Sequence, residues 1–254
     1  LPAPEPPLHA PPPDLTAKAA PQPKSIVPAA PAPALTGPAI VPRGAQPNRS
    51  GSRTMTRVLG LKLGKIVIDP GHGGHDVGTT GPSGLNEKDL VLDISRRLAD
   101  LLQEQLRSEV ILTRQDDTFL PLEERTRIAN QNKADLFLSV HANSSPVRSV
   151  AGVETYYLSF TTNRNALELA ARENAGSSRG IFDLQELLQR IALRDKLDES
   201  REFASRVQSS LFAVSAKNNA ASRNRGVKKA PFVVLIGASM PSVLCEIGFL
   251  TNST

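Results

Sequence analysis

Four imidazole and carboxylate side chains stand out because each lies beside a segment with a clear strand or helix pattern. His72 lies in KIVIDPGHGG, Glu87 in GLNEKDL, His141 in LFLSVHAN and Glu246 in SVLCEIGF. Two imidazoles and one carboxylate are a complete ligand set for a catalytic Zn²⁺ ion that keeps one position open. A second carboxylate nearby supplies the general base that such a site needs. These residue types therefore predict a zinc hydrolase.

Glu246 is the acidic residue whose position most needs a chemical explanation. It follows Val243, Leu244 and Cys245 in an apolar, strand-like run, where an unpaired carboxylate is costly to bury. Burial would also raise the pKa of this carboxyl towards neutrality, which suits a group that accepts and returns a proton. We interpret Glu246 as a general base, and a buried ion pair with an arginine is the alternative.

Two neighbouring residues compete for the metal. His75 follows His72 by three positions, but a glycine-rich loop fixes no shared face, so His75 ranks second. Asp89 is an alternative to Glu87. An acidic residue in the first turn of a helix also has a simpler role, since it interacts favourably with the helix dipole.

The segments that carry these residues alternate between strand and helix patterns. Strands are predicted at 65–69, 110–113, 135–140, 153–158, 232–236 and 243–246, and amphipathic helices at 87–106 and 122–132. This order predicts an α/β fold: a single domain with a mixed, mostly parallel central sheet, helices on both faces and a helical insertion. Ligands in such folds bind at the carboxyl ends of the strands, so His72, His141 and Glu246 are expected at one edge of the sheet.

The composition divides the 254 residues into two parts. Of the 21 prolines, 15 lie at or before Pro47, and no Phe or Tyr precedes Phe119. A segment of this kind cannot bury enough apolar surface to offset its ordering entropy. We therefore predict a disordered, Pro-rich linker at 1–58 and a catalytic domain at 59–254, which is long enough for a full core.

Charge and hydropathy exclude several other classes of protein. The net charge is +5, but aromatic residues make up only 4% and none interleaves with the basic residues, which argues against binding of single-stranded nucleic acid. No apolar run reaches about 18 residues, so no membrane span is expected. The single cysteine, Cys245, lies in an apolar run and is interpreted as a buried hydrophobic residue.

Taken together, these segments resemble the zinc-dependent N-acetylmuramoyl-L-alanine amidases of bacterial cell-wall turnover (amidase type 3). The motifs that carry the resemblance span 65–252 and include KIVIDPGHGGHDVGTTGPSGLNEKDL, ADLFLSVHANS, GVETYYL and PSVLCEIGFLTN. The resemblance implies Zn²⁺ bound by His72, Glu87 and His141, with Glu246 as catalytic acid and base. It implies cleavage of peptidoglycan between N-acetylmuramic acid and the first L-Ala of the stem peptide. It also implies a periplasmic or extracellular location, although the chain begins Leu-Pro-Ala-Pro without a signal peptide, and we expect a monomer.

The segment at 160–224 is longer than a minimal amidase of this type requires. It resembles the inserted helix of cell-division amidases, which plugs the site until an activator protein displaces it. We expect a helix near 183–193 to cover the zinc cleft, with Glu186 in the open zinc position and Asp183 and Glu173 as alternatives. A plain surface helix is the other interpretation.

Two other functions are compatible with parts of this sequence. The same ligand set would serve a zinc peptidase that cuts within the stem peptide, and a broken site would indicate a non-catalytic protein that binds the wall or an activator. Further charged residues near the motifs are candidates for substrate contact without a ranking: Glu123, Glu124, Arg114, Arg125 and Arg127.

Overall fold

A computed structural model describes residues 64–177 and 194–252 of the chain. The Pro-rich segment at 1–58 and the predicted helix around Glu186 lie outside these ranges. The expectations for those two segments therefore stay predictions.

The core of the described part is a six-stranded sheet. Its strands are β1 (Lys65–Pro70), β2 (Glu109–Leu112), β3 (Leu136–Asn143), β4 (Val153–Leu158), β5 (Asn224–Ala230) and β6 (Ser242–Phe249). Their order in the sheet is β2-β1-β3-β6-β4-β5. Every neighbouring pair is parallel except β4 and β6, which are antiparallel. The prediction of a mixed, mostly parallel sheet is confirmed.

Helices cover both faces of this sheet, also as predicted. The helices are α1 (Glu87–Leu106), α2 (Leu122–Gln131), α3 (Arg164–Glu173) and α4 (Arg194–Asn218). Apolar side chains of α1 and α4 pack against one face, and those of α2 and α3 pack against the other. None of the helices within the described ranges is both long and apolar enough to cross a bilayer.

Helix α1 carries the clearest amphipathic pattern, because apolar side chains recur every three or four residues and pack on the sheet. Asn86 occupies the N-cap position, but its side chain makes no capping hydrogen bond to the helix. Its Oδ1 atom instead accepts a hydrogen bond from Thr80 Oγ1 at 2.9 Å, which ties the glycine-rich loop to the start of α1. The helix ends at Arg107, which has a left-handed backbone (φ 52°).

One predicted strand is wrong and one strand was not predicted. The apolar run at 232–236 forms a short 3-10 turn, Val233–Leu235, whose side chains are buried against the α2 and α3 face. The strand next to this turn is β5, whose sequence NRGVKKA is mostly polar. Among the described strands β5 is at the edge of the sheet and pairs with β4 alone, so its sequence need not be apolar.

The register of the central strands sets a row of polar side chains on the α2 and α3 face. His141 on β3 lies opposite Glu246 on β6, and Glu246 lies opposite Glu154 on β4. Side chains of directly opposed residues project from the same face of a sheet. Cys245 projects to the other face and is buried there, as its sequence context indicated.

Candidate metal centre

Four side chains converge where β1 and β3 approach the start of α1 and the end of α3. They are His72, Glu87, His141 and Glu173, and one ligand atom from each lies within 4.8 Å of all the others. Glu87 Oε1 is 3.1 Å from His72 Nε2 and 3.3 Å from His141 Nδ1. Glu173 Oε2 is 3.4 Å from His72 Nε2 and 3.1 Å from His141 Nδ1.

These four separations fit a tetrahedral metal site. Zinc bonds of about 2.0–2.1 Å place neighbouring ligand atoms of a tetrahedron about 3.3 Å apart. The atoms do not satisfy one another by hydrogen bonding: His72 Nε2, His141 Nδ1 and Glu173 Oε2 are buried without a hydrogen-bond partner among the described residues. Buried polar atoms are rarely left in this state. A cation between them would satisfy all of them, so the residues present fit a bound metal ion.

The backbone around His72 is shaped so that two metal-binding side chains can approach each other. His72 has a left-handed conformation (φ 58°), which is uncommon for a residue other than glycine. A Cβ atom at Gly71 would lie 2.4 Å from the His141 ring. A Cβ atom at Gly78 would lie 2.7 Å from both Glu87 Oε2 and His72 Cδ2, and Gly78 itself is left-handed (φ 64°). The loop therefore requires glycine at these two positions.

Asp76 orients the His72 ring. Its Oδ2 atom lies 2.9 Å from His72 Nδ1, and its Oδ1 atom accepts a hydrogen bond from the Gly78 backbone N–H at 3.1 Å. A carboxylate on one ring nitrogen fixes the tautomer and leaves the other nitrogen free for a metal. Sequence reasoning missed Asp76, although an aspartate four residues after the histidine in GHGGHD was a usable signal.

Glu87 is held equally firmly at the start of α1. Its Oε2 atom accepts a hydrogen bond from the Thr79 N–H, and its Oε1 atom accepts one from the Ala142 N–H, both at 2.9 Å. Burial would raise the pKa of this carboxyl, but the His141 and His72 imidazoles lower it to about 2. Glu87 therefore stays ionised, as a metal ligand must.

The carboxylates around the two imidazoles favour the protonated form of both rings when no metal is present. Burial lowers the pKa of His72, but Asp76, Glu173 and Glu87 raise it to about 12. Burial likewise lowers the pKa of His141, and the Glu173 carboxylate raises it to about 9. A metal ion that binds here has to displace these protons, so binding is coupled to proton release.

The structure does not place the two competing residues in this cluster. His75 is exposed and stacks against Phe119, with ring centroids 4.2 Å apart. Asp89 is also exposed and is not one of the four clustered residues. His75 nevertheless lies near the site, because it lines a cleft that opens beside the cluster.

Two buried arginines hold the loop that carries His72. Arg125 Nη1 donates to the Pro70 carbonyl at 2.8 Å, and Nη2 donates to the His72 carbonyl at 2.9 Å. Arg114 Nη2 donates to the Gly71 carbonyl at 2.7 Å, and Nε donates to the Pro70 carbonyl at 3.1 Å. Both side chains are almost fully buried. The suggestion that they contact substrate is therefore wrong, because their donors are used on the backbone.

Asp69 neutralises part of this buried positive charge. Its Oδ1 atom accepts from Arg125 at 3.0 Å and from Thr113 Oγ1 at 2.6 Å, and its Oδ2 atom accepts from Ser139 Oγ at 2.8 Å. Burial raises the pKa of Asp69, but Arg125 and these hydrogen bonds bring it below the ordinary value. The remaining unranked residues lie on α2, where Arg127 pairs with Glu124 and Glu123 accepts a hydrogen bond from Ser177 Oγ at 2.9 Å.

Glu246 lies beside His141 and has no partner among the described residues. The side chain is 1% exposed, and neither carboxylate oxygen accepts a hydrogen bond. Burial raises its pKa well above the ordinary value, and the nearby charges of Glu173 and Glu87 raise it further. Among the residues that the structure describes, no arginine forms the buried ion pair that was the alternative interpretation. The group is suited to exchanging a proton next to the cluster.

Glu173, the fourth residue of the cluster, is the last residue of α3. Asn163 caps the start of this helix by accepting a hydrogen bond from the Ala166 N–H at 3.0 Å, and Leu169 packs in the core. Sequence reasoning ranked Glu186 above Glu173 for this position. Glu186 lies outside the described residues, whereas Glu173 is buried and in contact with both histidines.

A cleft of about 380 Å³ opens from the cluster to solvent. Its lining residues are His72, His75, Asp76, Phe119, Arg172, Glu173, Ala175 and Gly176. The end of α3 therefore forms one wall of the cleft, and both Glu173 and His72 border it.

Comparisons with known proteins agree with this geometry. The Amidase_3 family model, described as N-acetylmuramoyl-L-alanine amidase, matches residues 66–254. The N-acetylmuramoyl-L-alanine amidase AmiA of Escherichia coli K12 is 35% identical over 196 residues, which cover 74% of this chain and 66% of AmiA. The chain thus spans just under two thirds of the length of that relative.

Solved structures show the same fold. An N-acetylmuramoyl-L-alanine amidase from Clostridium difficile 630 aligns with a TM-score of 0.55 and 32% identity, covering 75% of this chain and 82% of that one. The CwlD amidase from Clostridioides difficile, solved in complex with the GerS lipoprotein, aligns with a TM-score of 0.53 and 26% identity, covering 74% and 84%.

Proposed function

The chain belongs to the N-acetylmuramoyl-L-alanine amidase family, and we propose that it cleaves the amide bond between N-acetylmuramic acid and L-Ala in peptidoglycan. The observation that supports this most strongly is the cluster of His72, Glu87 and His141 with the unpartnered Glu246 beside it. The family match at 66–254 supports a catalytic domain at 59–254, with the Pro-rich segment at 1–58 as a linker.

We infer that His72, Glu87 and His141 bind Zn²⁺. Two imidazole nitrogens and one carboxylate oxygen are donors that zinc favours in hydrolases. Zinc bound there would polarise the amide carbonyl and lower the pKa of a water molecule. Asp76 keeps Nε2 of His72 directed at the metal, and the Thr79 and Ala142 N–H groups keep the Glu87 carboxylate in place.

Glu246 carries the proton in this proposal. It takes a proton from the attacking water as the new C–O bond forms, and it returns that proton to the L-Ala nitrogen as the C–N bond breaks. The transfer leaves Glu246 unchanged and gives a free amine and a free carboxylic acid. Its position opposite His141 in the sheet register supports this role.

We further propose that the described conformation is autoinhibited and that Glu173 is the inhibitory residue. A hydrolytic zinc site needs three protein ligands and an open fourth position. The distances of Glu173 Oε2 from the two histidine nitrogens, 3.4 and 3.1 Å, support a place for it at this fourth position, because they match the separation of neighbouring zinc ligands. Glu173 must therefore leave before substrate can bind. A partner protein that displaces the end of α3 would act as activator, and the reaction would occur in the cell envelope.

Product analysis on purified peptidoglycan tests both parts of the proposal. We expect the zinc-loaded Glu173→Ala variant to release stem peptides with a free N-terminal L-Ala at least tenfold faster than the wild type. Glu173→Ala combined with Glu246→Gln should release none. The matched control is Glu168→Ala, which removes an exposed carboxylate of the same helix that pairs with Arg164.

The products distinguish the alternatives. Peptides cut within the stem would indicate a peptidase. Binding to sacculi without release by any variant would indicate a non-catalytic wall-binding protein. Equal rates for the wild type and Glu173→Ala would reject the inhibitory role of Glu173 while leaving the amidase activity established.

A further inference from the structure

Arg172 is bound to the edge of the site as firmly as the Glu173 that follows it. Its Nη1 atom donates a hydrogen bond to Ser144 Oγ at 2.7 Å, and its Nη2 atom donates to Asn143 Oδ1 at 3.2 Å. Its Nε atom donates to Glu173 Oε1 at 3.0 Å. Because the two residues are consecutive at the end of α3, a movement that withdraws Glu173 also withdraws Arg172. Such a movement would remove the guanidinium from two oxygen acceptors, Asn143 Oδ1 and Ser144 Oγ. Asn143 Oδ1 keeps its other hydrogen bond, which it accepts from the Ser144 N–H at 2.7 Å.

Glu154 fixes the orientation of the Asn143 amide. Its Nδ2 atom donates to Glu154 Oε1 at 2.6 Å, and Glu154 is buried and paired with Lys228. A carboxylate accepts but does not donate, and a guanidinium donates but does not accept. The amide therefore has one orientation that satisfies both neighbours, with its nitrogen towards Glu154 and its oxygen towards Arg172. The acceptor is preorganised by Glu154 whether or not Arg172 is present.

The location of these acceptors suits a peptide that enters the metal centre. Asn143 follows His141 by two residues on β3, a distance of about 6.7 Å along a strand. An extended peptide advances about 3.3–3.6 Å per residue. Suppose that the scissile amide lies beside His72 and His141. The backbone N–H groups one or two residues further along the stem peptide then lie about as far from the histidines as Asn143 and Ser144 do.

We propose that Asn143 Oδ1 and Ser144 Oγ form an acceptor subsite for backbone N–H groups of the stem peptide, which Arg172 occupies with its own N–H groups in the closed conformation. The end of α3 then blocks the site twice, with a carboxylate at the fourth ligand position of the metal and a guanidinium at the peptide position. This inference rests on the proposed function, since it names the part of that substrate which the subsite recognises.

Kinetics in the Glu173→Ala background test the subsite, with a soluble muropeptide as substrate. A neutral hydrogen bond contributes about a three- to tenfold change in affinity. We expect Ser144→Ala and Asn143→Ala each to raise KM by that factor, with a smaller change in kcat. The matched control is Ser145→Ala, whose hydroxyl accepts a hydrogen bond from the Val147 N–H instead, and its KM should not change.

A modified substrate separates recognition from a structural role. A muropeptide that is N-methylated at the peptide bond after L-Ala lacks one donor and should show a similar rise in KM. Ser144→Ala or Asn143→Ala should add less to KM on that substrate than on the unmodified one, because the partner is already missing. If Ser144→Ala and Asn143→Ala each raise KM by the same factor on the modified substrate as on the unmodified one, the proposal is overturned.

Arg172→Ala gives a second, opposite readout. If Arg172 competes with substrate for the acceptors, Arg172→Ala in the Glu173→Ala background should lower KM or leave it unchanged. A rise in KM would mean that Arg172 itself binds substrate, and this would contradict the proposal. If Glu173→Ala shows no hydrolysis, the proposed function fails. The subsite is then tested by calorimetry with the same muropeptide, where Ser144→Ala must weaken Kd three- to tenfold.

Discussion

At the scale of single residues, the metal centre depends on a histidine in an unfavourable backbone conformation. A left-handed residue other than glycine costs about 1–3 kcal/mol, and His72 adopts it at φ 58°. Hydrogen bonds from Arg114 and Arg125 to successive carbonyls of the loop offset this cost. The strain is thus supported by buried groups on neighbouring elements and not by the loop itself.

Asp76 should determine how tightly the site binds metal. We predict that Asp76→Ala weakens zinc affinity about 10- to 100-fold, because the His72 ring loses the partner that fixes its tautomer and orientation. Competition with a chromogenic chelator measures the change. Asp93→Ala, which removes an exposed carboxylate paired with Arg97, is the control and should bind zinc like the wild type. Unchanged affinity in Asp76→Ala would mean that the carboxylate does not orient the ring.

Asp69 should be among the most destabilising residues to remove. We predict that Asp69→Ala costs about 3–5 kcal/mol in the free energy of unfolding, because it leaves the buried Arg125 charge without its partner. Urea unfolding of the metal-free protein gives the value, with the exposed Asp100 changed to Ala as a control.

The pH dependence gives an independent check on Asp69. Its pKa in the folded protein lies below the ordinary value near 3.8, so its contribution is fully present above that value. The contribution is lost as pH falls through the lower folded pKa. The difference between the wild type and Asp69→Ala should therefore be constant at neutral pH and shrink in acid. A difference that grows in acid would contradict the assignment.

Residue types and spacing could indicate His72, Glu87, His141 and Glu246 because each lies in or beside a recognisable strand or helix pattern. They could not identify Asp76, Glu154 or Arg172, whose roles depend on which side chains meet across the fold. The sequence also placed Glu173 below Glu186 as a candidate for the open zinc position, because it does not show where α3 ends relative to the histidines.

At the scale of elements, the alternation of strands and helices was sufficient to predict the sheet and its carboxyl edge. The edge strand β5 was missed, because a strand paired on one side only can be polar, and the buried 3-10 turn at Val233–Leu235 mimicked a strand by its apolar sequence. Hydrophobicity reports burial, and it does not distinguish a strand from a turn that packs on the face of the sheet.

Helix α4 is fastened to the sheet by a buried polar contact in addition to apolar packing. Gln208 Oε1 accepts from Thr155 Oγ1 at 2.8 Å, and Gln208 Nε2 donates to the Val153 carbonyl at 3.0 Å. We predict that Gln208→Ala lowers the free energy of unfolding by about 1–3 kcal/mol, since it leaves these buried groups unsatisfied. Urea unfolding measures the change.

The matched control on α4 is Ser209→Ala, which removes an exposed hydroxyl bonded within the helix. It should change stability by less than about 0.5 kcal/mol. Equal effects of the two variants would show that α4 is held by its apolar face alone.

At the scale of the whole described domain, metal binding and folding should be coupled, because the ligands come from distant parts of the chain. Residues 72, 87, 141 and 173 meet only in the folded state. A ligand that binds only the native state stabilises it by about 4.1 kcal/mol at a thousandfold excess over Kd. We predict that chelation of the metal lowers Tm and that added Zn²⁺ restores it, as measured by differential scanning calorimetry.

The control for this effect is a variant in which His141 is changed to Ala. Its Tm should not respond to Zn²⁺ within the same concentration range. A rise equal to that of the wild type would place the stabilising metal elsewhere in the protein.

The central claim is that a single metal ion is held by His72, Glu87 and His141 while Glu173 takes the position that hydrolysis requires to be open. Anomalous diffraction at the zinc edge from a crystal of the zinc-loaded wild type tests it most directly. We expect one strong peak within about 2.3 Å of His72 Nε2, Glu87 Oε1, His141 Nδ1 and Glu173 Oε2. A peak that is bound by the first three residues with Glu173 turned away, or a peak at another site, would contradict it.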